Sequence, residues 1–122
     1  MRLSLPVLCS LAALVQAPAY GQEPAPGGGF VAGVDDLPLM AGLAEDPQAG
    51  IVFDKPSGRI VEAYASGEIA PEAVVRFYEE TLPQLGWEQL GALAFTREGE
   101  VLRITLTRED GGVRVRFFLL PD

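Results

Sequence analysis

The sequence has no histidine and a single cysteine, Cys9, and these absences remove much of the usual chemistry of enzymes. Histidine is the commonest general base near neutral pH and a frequent zinc ligand. Cysteine supplies thiolate nucleophiles and thiolate metal ligands. The chain also lacks a phosphate-binding loop, a G-x-G-x-x-G motif and a nucleophile elbow. We therefore predict a protein that is not an enzyme, with no catalytic, cofactor-binding or metal-binding residues.

Basic residues are few: nine lysines and arginines stand against 17 acidic residues, which gives a net charge of −8. A strongly acidic chain is a poor binder of nucleic acid and of anionic membrane surfaces. The adjacent acids Asp35-Asp36 and Glu45-Asp46 lack the D-x-D-x-D-G spacing of a calcium loop. A carboxylate-dependent hydrolase stays open as an alternative, although no pair of acids is singled out.

The first residues have the pattern of a secretory signal. Arg2 precedes an apolar run, Leu3–Val15, which is shorter than the roughly 20 residues that span a bilayer. Small residues at the end of this segment favour cleavage after Gly21, with Ala19 second, and an uncleaved N-terminal anchor is the alternative. We predict a signal peptide at 1–21 and a flexible proline- and glycine-rich linker at 22–29. The protein is then periplasmic or secreted, without stable membrane insertion after cleavage.

The stretch PEAVVRFYEETLPQLGW, residues 71–87, predicts one amphipathic helix with a charged back. Pro71 suits the first helical position, whereas Ala70 is a poor cap. Pro83 predicts either a kink in the helix or a helix that stops near Leu82 and restarts as a tight turn. Gly86 is a natural left-handed terminator.

In most of the remaining chain, apolar and polar residues alternate as they do in β-strands. We therefore predict that residues 51–122 form one α+β domain, with a single helix on an antiparallel sheet, in the order β-β-α-β-β-β. The stretch RIVEAYAS carries three small or medium apolar residues on one face, Val61, Ala63 and Ala65. This face is predicted to lie under the helix, because small side chains let the helix approach closely. Residues 87–97 are interpreted as one strand with a bend at Gly91. A turn at Asp110-Gly111 places Ile104 opposite Phe117.

Residues 30–50 are predicted to form an ordered arm with its apolar residues docked on the domain and one short helical turn at most. A segment that binds a partner is the alternative for this arm.

The candidate site is the sheet face away from the helix, where Arg103, Arg114, Arg116 and Phe118 are predicted to lie together. Arginine beside an aromatic ring is typical of binding hot spots. Two other interpretations stay open. In the first, the arginines are simply solvated and paired with local acids such as Glu62. In the second, the arm covers Phe118 and Leu120, and the outward face becomes a second small core.

The helix carries Phe77-Tyr78, then Leu82 and Gly86-Trp87 in L-x-x-x-G-W spacing. In this it resembles a helix-on-sheet module of small, uncharacterised exported proteobacterial proteins. The resemblance covers most of the chain after residue 21. It implies a helix on a sheet in the cell envelope and no activity or site residues.

Together these patterns predict a non-enzymatic periplasmic binding or adaptor module whose partner is an unknown protein or envelope component. A small-ligand binding protein, with a pocket between arm and sheet, is the second candidate. The sequence does not indicate an oligomeric state.

Overall fold

The computed structural model describes residues 29–122, so the predicted signal peptide and nearly all of the predicted linker lie outside the described residues. The described chain forms one helix on a seven-stranded sheet. The strands are β1 (Ala44–Glu45), β2 (Ile51–Lys55), β3 (Gly58–Gly67), β4 (Glu88–Gly91), β5 (Ala94–Arg97), β6 (Glu100–Glu109) and β7 (Gly112–Pro121), and the helix α1 spans Pro71–Thr81. The predicted α+β class, with a single helix on an antiparallel sheet, is confirmed.

All the strand pairs are antiparallel, in the order β1-β3-β7-β6-β5-β4. Strand β2 also pairs with β3, so β1 and β2 lie along the same side of that strand. The last hairpin has the predicted register, with Ile104 opposite Phe117 and Leu106 opposite Val115. Alternating apolar residues on two long strands determine this register, because a slip of one residue would expose the whole apolar face.

The segment after the helix departs from the prediction of one bent strand. Residues 88–97 instead form a hairpin, β4 and β5, with Gly91 paired to Ala94. Leu93 adopts a left-handed φ of 53°, and its carbonyl accepts a hydrogen bond from the Ile104 N–H at 3.0 Å. This tertiary contact stabilises a turn that has only one glycine in its sequence, which is why the alternation pattern missed it.

The helix ends as its prolines and glycine predict. No side chain caps it at Ala70. A 3₁₀ turn, Leu82–Leu85, takes over at Pro83, and Gly86 closes it with a φ of 95°. The helix buries Val74, Tyr78 and Leu82. The ring of Tyr78 packs edge-on against Phe117 of β7, with the centroids 5.5 Å apart.

The predicted arm lies on the same sheet face as the helix and belongs to the main core. Its buried residues are Val31, Val34, Leu37, Leu39 and Leu43. Polar contacts of two side chains, Tyr78 and Arg59, help to join it to the domain, as does the pairing of β1 with β3. The Tyr78 hydroxyl donates to the Pro38 carbonyl (2.8 Å) and accepts from the Met40 N–H (3.1 Å). Arg59 donates to the Gly33 carbonyl (2.7 Å) while it pairs with Glu100 (2.8 Å). The arm also contains the predicted short helical turn, Pro47–Ala49, and a two-residue strand, β1, that was not predicted.

Substitution of Tyr78 by phenylalanine should change how stability depends on pH. Burial raises the pKa of Tyr78 above its ordinary value of about 10. In alkaline solution the unfolded chain therefore loses this proton before the folded chain does, and the free energy of unfolding falls as the pH rises above about 10. The variant lacks this contribution, so its stability should fall less steeply above about pH 10. At neutral pH it should lose about 1–3 kcal/mol, because Met40 N–H and Pro38 C=O lose their partner.

Urea unfolding at several pH values measures both effects. Equal slopes above pH 10 in the two proteins would contradict the buried, neutral phenol.

Candidate functional site

The sheet has two unlike faces, and only one of them is covered in the described chain. The helix and the arm both pack on the face formed by Val61, Ala63 and Ala65 of β3 with Val115 and Phe117 of β7. The opposite face, here called the outer face, carries the alternate residues of the same strands. The interpretation in which the arm covers Phe118 and Leu120 is therefore wrong, because the arm residues are buried in the core on the helix side.

The four residues predicted for the site lie together on this outer face. Arg103 of β6 stands opposite Phe118 of β7, and Thr105 stands opposite Arg116, as the predicted register requires. The Arg116 guanidinium lies 4.4 Å from the centre of the Phe118 ring. Arg114 lies in the same way over Tyr64, at 4.8 Å. Both distances are typical of cation–π contacts.

Two of the three arginines are held by local acids. Arg116 forms an ion pair of 2.7 Å with Glu62 on β3, and the Tyr64 hydroxyl donates to the same carboxylate at 2.9 Å. These hydrogen bonds hold the pKa of Glu62 below its usual value and raise the pKa of Arg116. Arg114 lies 3.7 Å from Asp46. The prediction of pairing with local acids therefore holds for Arg114 and Arg116.

Arg103 differs from these two arginines. Its side chain is exposed, and within residues 29–122 no carboxylate lies within ion-pair distance of it. Its neighbours across the strands are Phe118 on one side and Ala94 on the other. Arg103 is therefore a cation beside an apolar surface, and it has no charge partner in the described chain. It is available to pair with a carboxylate of another molecule.

An apolar patch next to Arg103 was not predicted. Phe53 pairs with Ile60, Leu120 pairs with Val101, and Ile60 and Leu120 are neighbours, because Val61 pairs with Leu119. Val101 is only 8% exposed although it lies outside the main core cluster, so the patch buries part of its own surface. The name outer patch is used below for six residues: Ile51, Phe53, Ile60, Val101, Phe118 and Leu120.

The outer patch was not predicted, because it joins β2 and β3 to the last two strands. The signal was present in IVFDK: Ile51 and Phe53 alternate, and each remains 56% exposed. Joining them to Ile60 required the pairing of β2 with β3, which the sequence pattern did not specify.

One open cavity of about 290 Å³ lies between the start of the helix and the β6–β7 turn, with Glu68, Glu72, Glu109 and Arg108 in its walls. The cavity between the arm and the sheet edge, lined by Ala32, Glu45 and Val52 among others, is about 150 Å³. Pockets for small molecules commonly range from about 300 to 1,000 Å³. The geometry therefore favours a surface over a pocket.

The described residues contain no cluster of three or more acidic, cysteine or histidine side chains that could hold a metal ion. Within the same residues, no helix has the length and apolar character needed to cross a membrane.

Comparisons with known proteins give no assignment: no protein-family model matches the chain, and no match was found among curated proteins or among solved structures.

Proposed function

We propose that this protein is a non-enzymatic binding module of the cell envelope, and that its outer face binds another protein. The partner surface presents a carboxylate beside apolar side chains. The carboxylate pairs with Arg103, and the apolar side chains rest on the outer patch. The location in the envelope, periplasmic or secreted, follows from the N-terminal signal pattern and from the resemblance to exported proteins.

The observation that carries the proposal is the contrast between Arg103 and its two neighbours. Arg114 and Arg116 are each held by an acid of the chain itself. Arg103 also stands opposite an aromatic residue, Phe118, but no acid of the described chain lies within ion-pair distance of it. On a protein of net charge −8, an exposed and unpaired arginine at the border of an apolar patch complements an acidic partner.

The surface also has the composition of a binding site. Aromatic residues and arginine are enriched in the centres of protein interfaces, whereas lysine and glutamate are depleted. Phe118 and Arg116 already lie in a fixed stack, which reduces the entropy lost when a partner binds. The two cavities described above, of about 290 and 150 Å³, are at or below the usual size of small-molecule pockets, and no pair of acids in residues 29–122 is singled out for a hydrolase.

Reversal of the charge at Arg103 should abolish partner binding and leave the fold intact. In cells, chemical crosslinking of the tagged protein should capture one distinct partner with the wild type, and Arg103→Glu should lose it. The matched control is Arg76→Glu, which makes the same change at an exposed position of the helix. With the purified partner, Arg103→Glu should weaken binding at least about tenfold, which is 1.4 kcal/mol.

A carboxylate on the partner is tested by exchange of the charges. If the partner's acid is replaced by arginine, the Arg103→Glu variant should regain binding. Equal loss with Arg76→Glu, or capture of the same partner by Arg103→Glu, would contradict the proposed surface.

A further inference from the structure

We infer that two copies of this chain associate through strand β2, in an antiparallel pair centred on Val52. This contact shares Ile51 and Phe53 with the outer patch, but its centre, Val52, lies on the helix side of the sheet, opposite the buried Val61.

Strand β2 is a regular and exposed edge. It pairs with β3 in unbroken register over all five residues and has no second partner in the described chain. Ile51, Val52 and Phe53 are 56%, 58% and 56% exposed, so apolar side chains project from both faces of the strand. An edge of this kind is a template for pairing with another chain, and soluble proteins usually protect such edges with charges, proline or bulges.

The opposite edge has such protection. Strand β4 has only four residues, and its register shifts between Gln89 and Gly91. Irregularity of this kind prevents continuous pairing with a further strand. The two edges of one sheet therefore differ in the feature that allows addition of a strand.

The β2 sequence is complementary to itself in one alignment. If Val52 lies opposite Val52 of the second copy, Ile51 lies opposite Phe53 of the other chain on the outer face, and apolar residues meet apolar residues at all three positions. Centring on Phe53 would instead place Asp54 opposite Val52 and Lys55 opposite Ile51. The favoured alignment keeps the two Asp54 carboxylates apart and sets each of them opposite Gly50.

The paired stretch ends where the 3₁₀ turn Pro47–Ala49 precedes β2, so Lys55 has no extended residue opposite it in the second copy. Because the edge is only five residues long, the contact is smaller than the roughly 1,200 Å² of a standard interface, and we expect a dissociation constant in the micromolar range.

Engineered cysteines test the alignment directly. In a Cys9→Ser background, Val52→Cys should form a disulfide-linked dimer under mild oxidation, because directly opposed residues in an antiparallel pair have Cα atoms about 4.5–5.5 Å apart, within disulfide range. The control is Leu90→Cys on β4, since Leu90 is also 58% exposed on an edge strand. We expect at least about tenfold more crosslinked dimer with Val52→Cys than with Leu90→Cys. Equal crosslinking would overturn the inference.

Sedimentation equilibrium of the full chain is the second test, since it needs no cysteine. The wild type and Leu90→Lys should associate into dimers, and Val52→Lys should raise the dissociation constant at least about tenfold. A wild type that stays monomeric up to about 1 mM, or a Val52→Lys variant that dimerises equally well, would overturn the inference.

The two proposals fail separately. Arg103→Glu should leave the dimer intact, and Val52→Lys should leave the captured partner unchanged.

Discussion

Gly67→Ala should destabilise the fold by about 3 kcal/mol, one of the largest effects expected for any single substitution in this chain. A Cβ atom at Gly67 would overlap the carbonyl oxygen of Gly42 and lie 3.1 Å from its carbonyl carbon. These are backbone atoms, so no side chain can rotate away, and one strand end must move. The methyl group gains about 0.4–1 kcal/mol by restricting the unfolded chain, which is too little to offset the overlap.

The matched control is Gly91→Ala. Gly91 also lies in a strand and has a φ that alanine can adopt, but no atom lies within 4 Å of the added Cβ. Its free energy of unfolding should change by less than about 0.5 kcal/mol. Urea denaturation of both variants decides the matter: equal midpoints would mean that the close approach of Gly42 and Gly67 is not a constraint on the fold.

Leu37→Ala should lower the free energy of unfolding by about 2–5 kcal/mol, which is a large fraction of the stability of a domain of this size. Leu37 is fully buried in the core cluster, although it belongs to the arm that precedes the regular strands. Its carbonyl also accepts a hydrogen bond from Val31 N–H at 2.8 Å, which keeps the arm folded on itself. The arm is therefore an integral part of the core.

Leu90→Ala makes the same chemical change on an exposed side chain and should cost less than about 0.5 kcal/mol. Thermal unfolding compares the two. A Leu37→Ala protein that melts at the same temperature as Leu90→Ala would show that the arm is a detachable segment, and would bring back the idea that it binds a partner.

The sequence patterns that spanned whole elements predicted the fold well. Alternation on β6 and β7 predicted their register, and the helix stripe predicted burial of Val74, Tyr78 and Leu82. Small residues on β3 predicted the face under the helix, because Val61, Ala63 and Ala65 are all buried there. These features depend on side-chain periodicity, which a single sequence displays directly.

Features that depend on long-range contacts were not predicted. The β4–β5 turn is held by a hydrogen bond from Ile104 to Leu93, and β1 is a two-residue strand. The side of the sheet chosen by the arm depends on Tyr78 and Arg59, each of which contacts the arm from far along the chain. Irregular apolar spacing in residues 30–50 indicated docking but not the face to which the arm docks.

The candidate site was predicted in part. The four site residues do share the outer face, since alternation alone places them there. The sequence did not distinguish Arg103 from Arg114 and Arg116, because ion pairing depends on Glu62 and Asp46, which pairing with β3 and the arm brings near. The outer patch required the same knowledge of which strands are neighbours.

The most direct test of the account is photo-crosslinking in cells from one position on each side of the molecule. A photoreactive residue at Thr105 lies on the outer face opposite Arg116, and one at Glu80 lies on the exposed side of the helix. We expect Thr105 to capture a single protein partner, Glu80 to capture none, and Arg103→Glu to abolish the capture at Thr105. Capture at Glu80 alone, or no partner at Thr105, would contradict the claim that the outer face of the sheet is the binding surface of this protein.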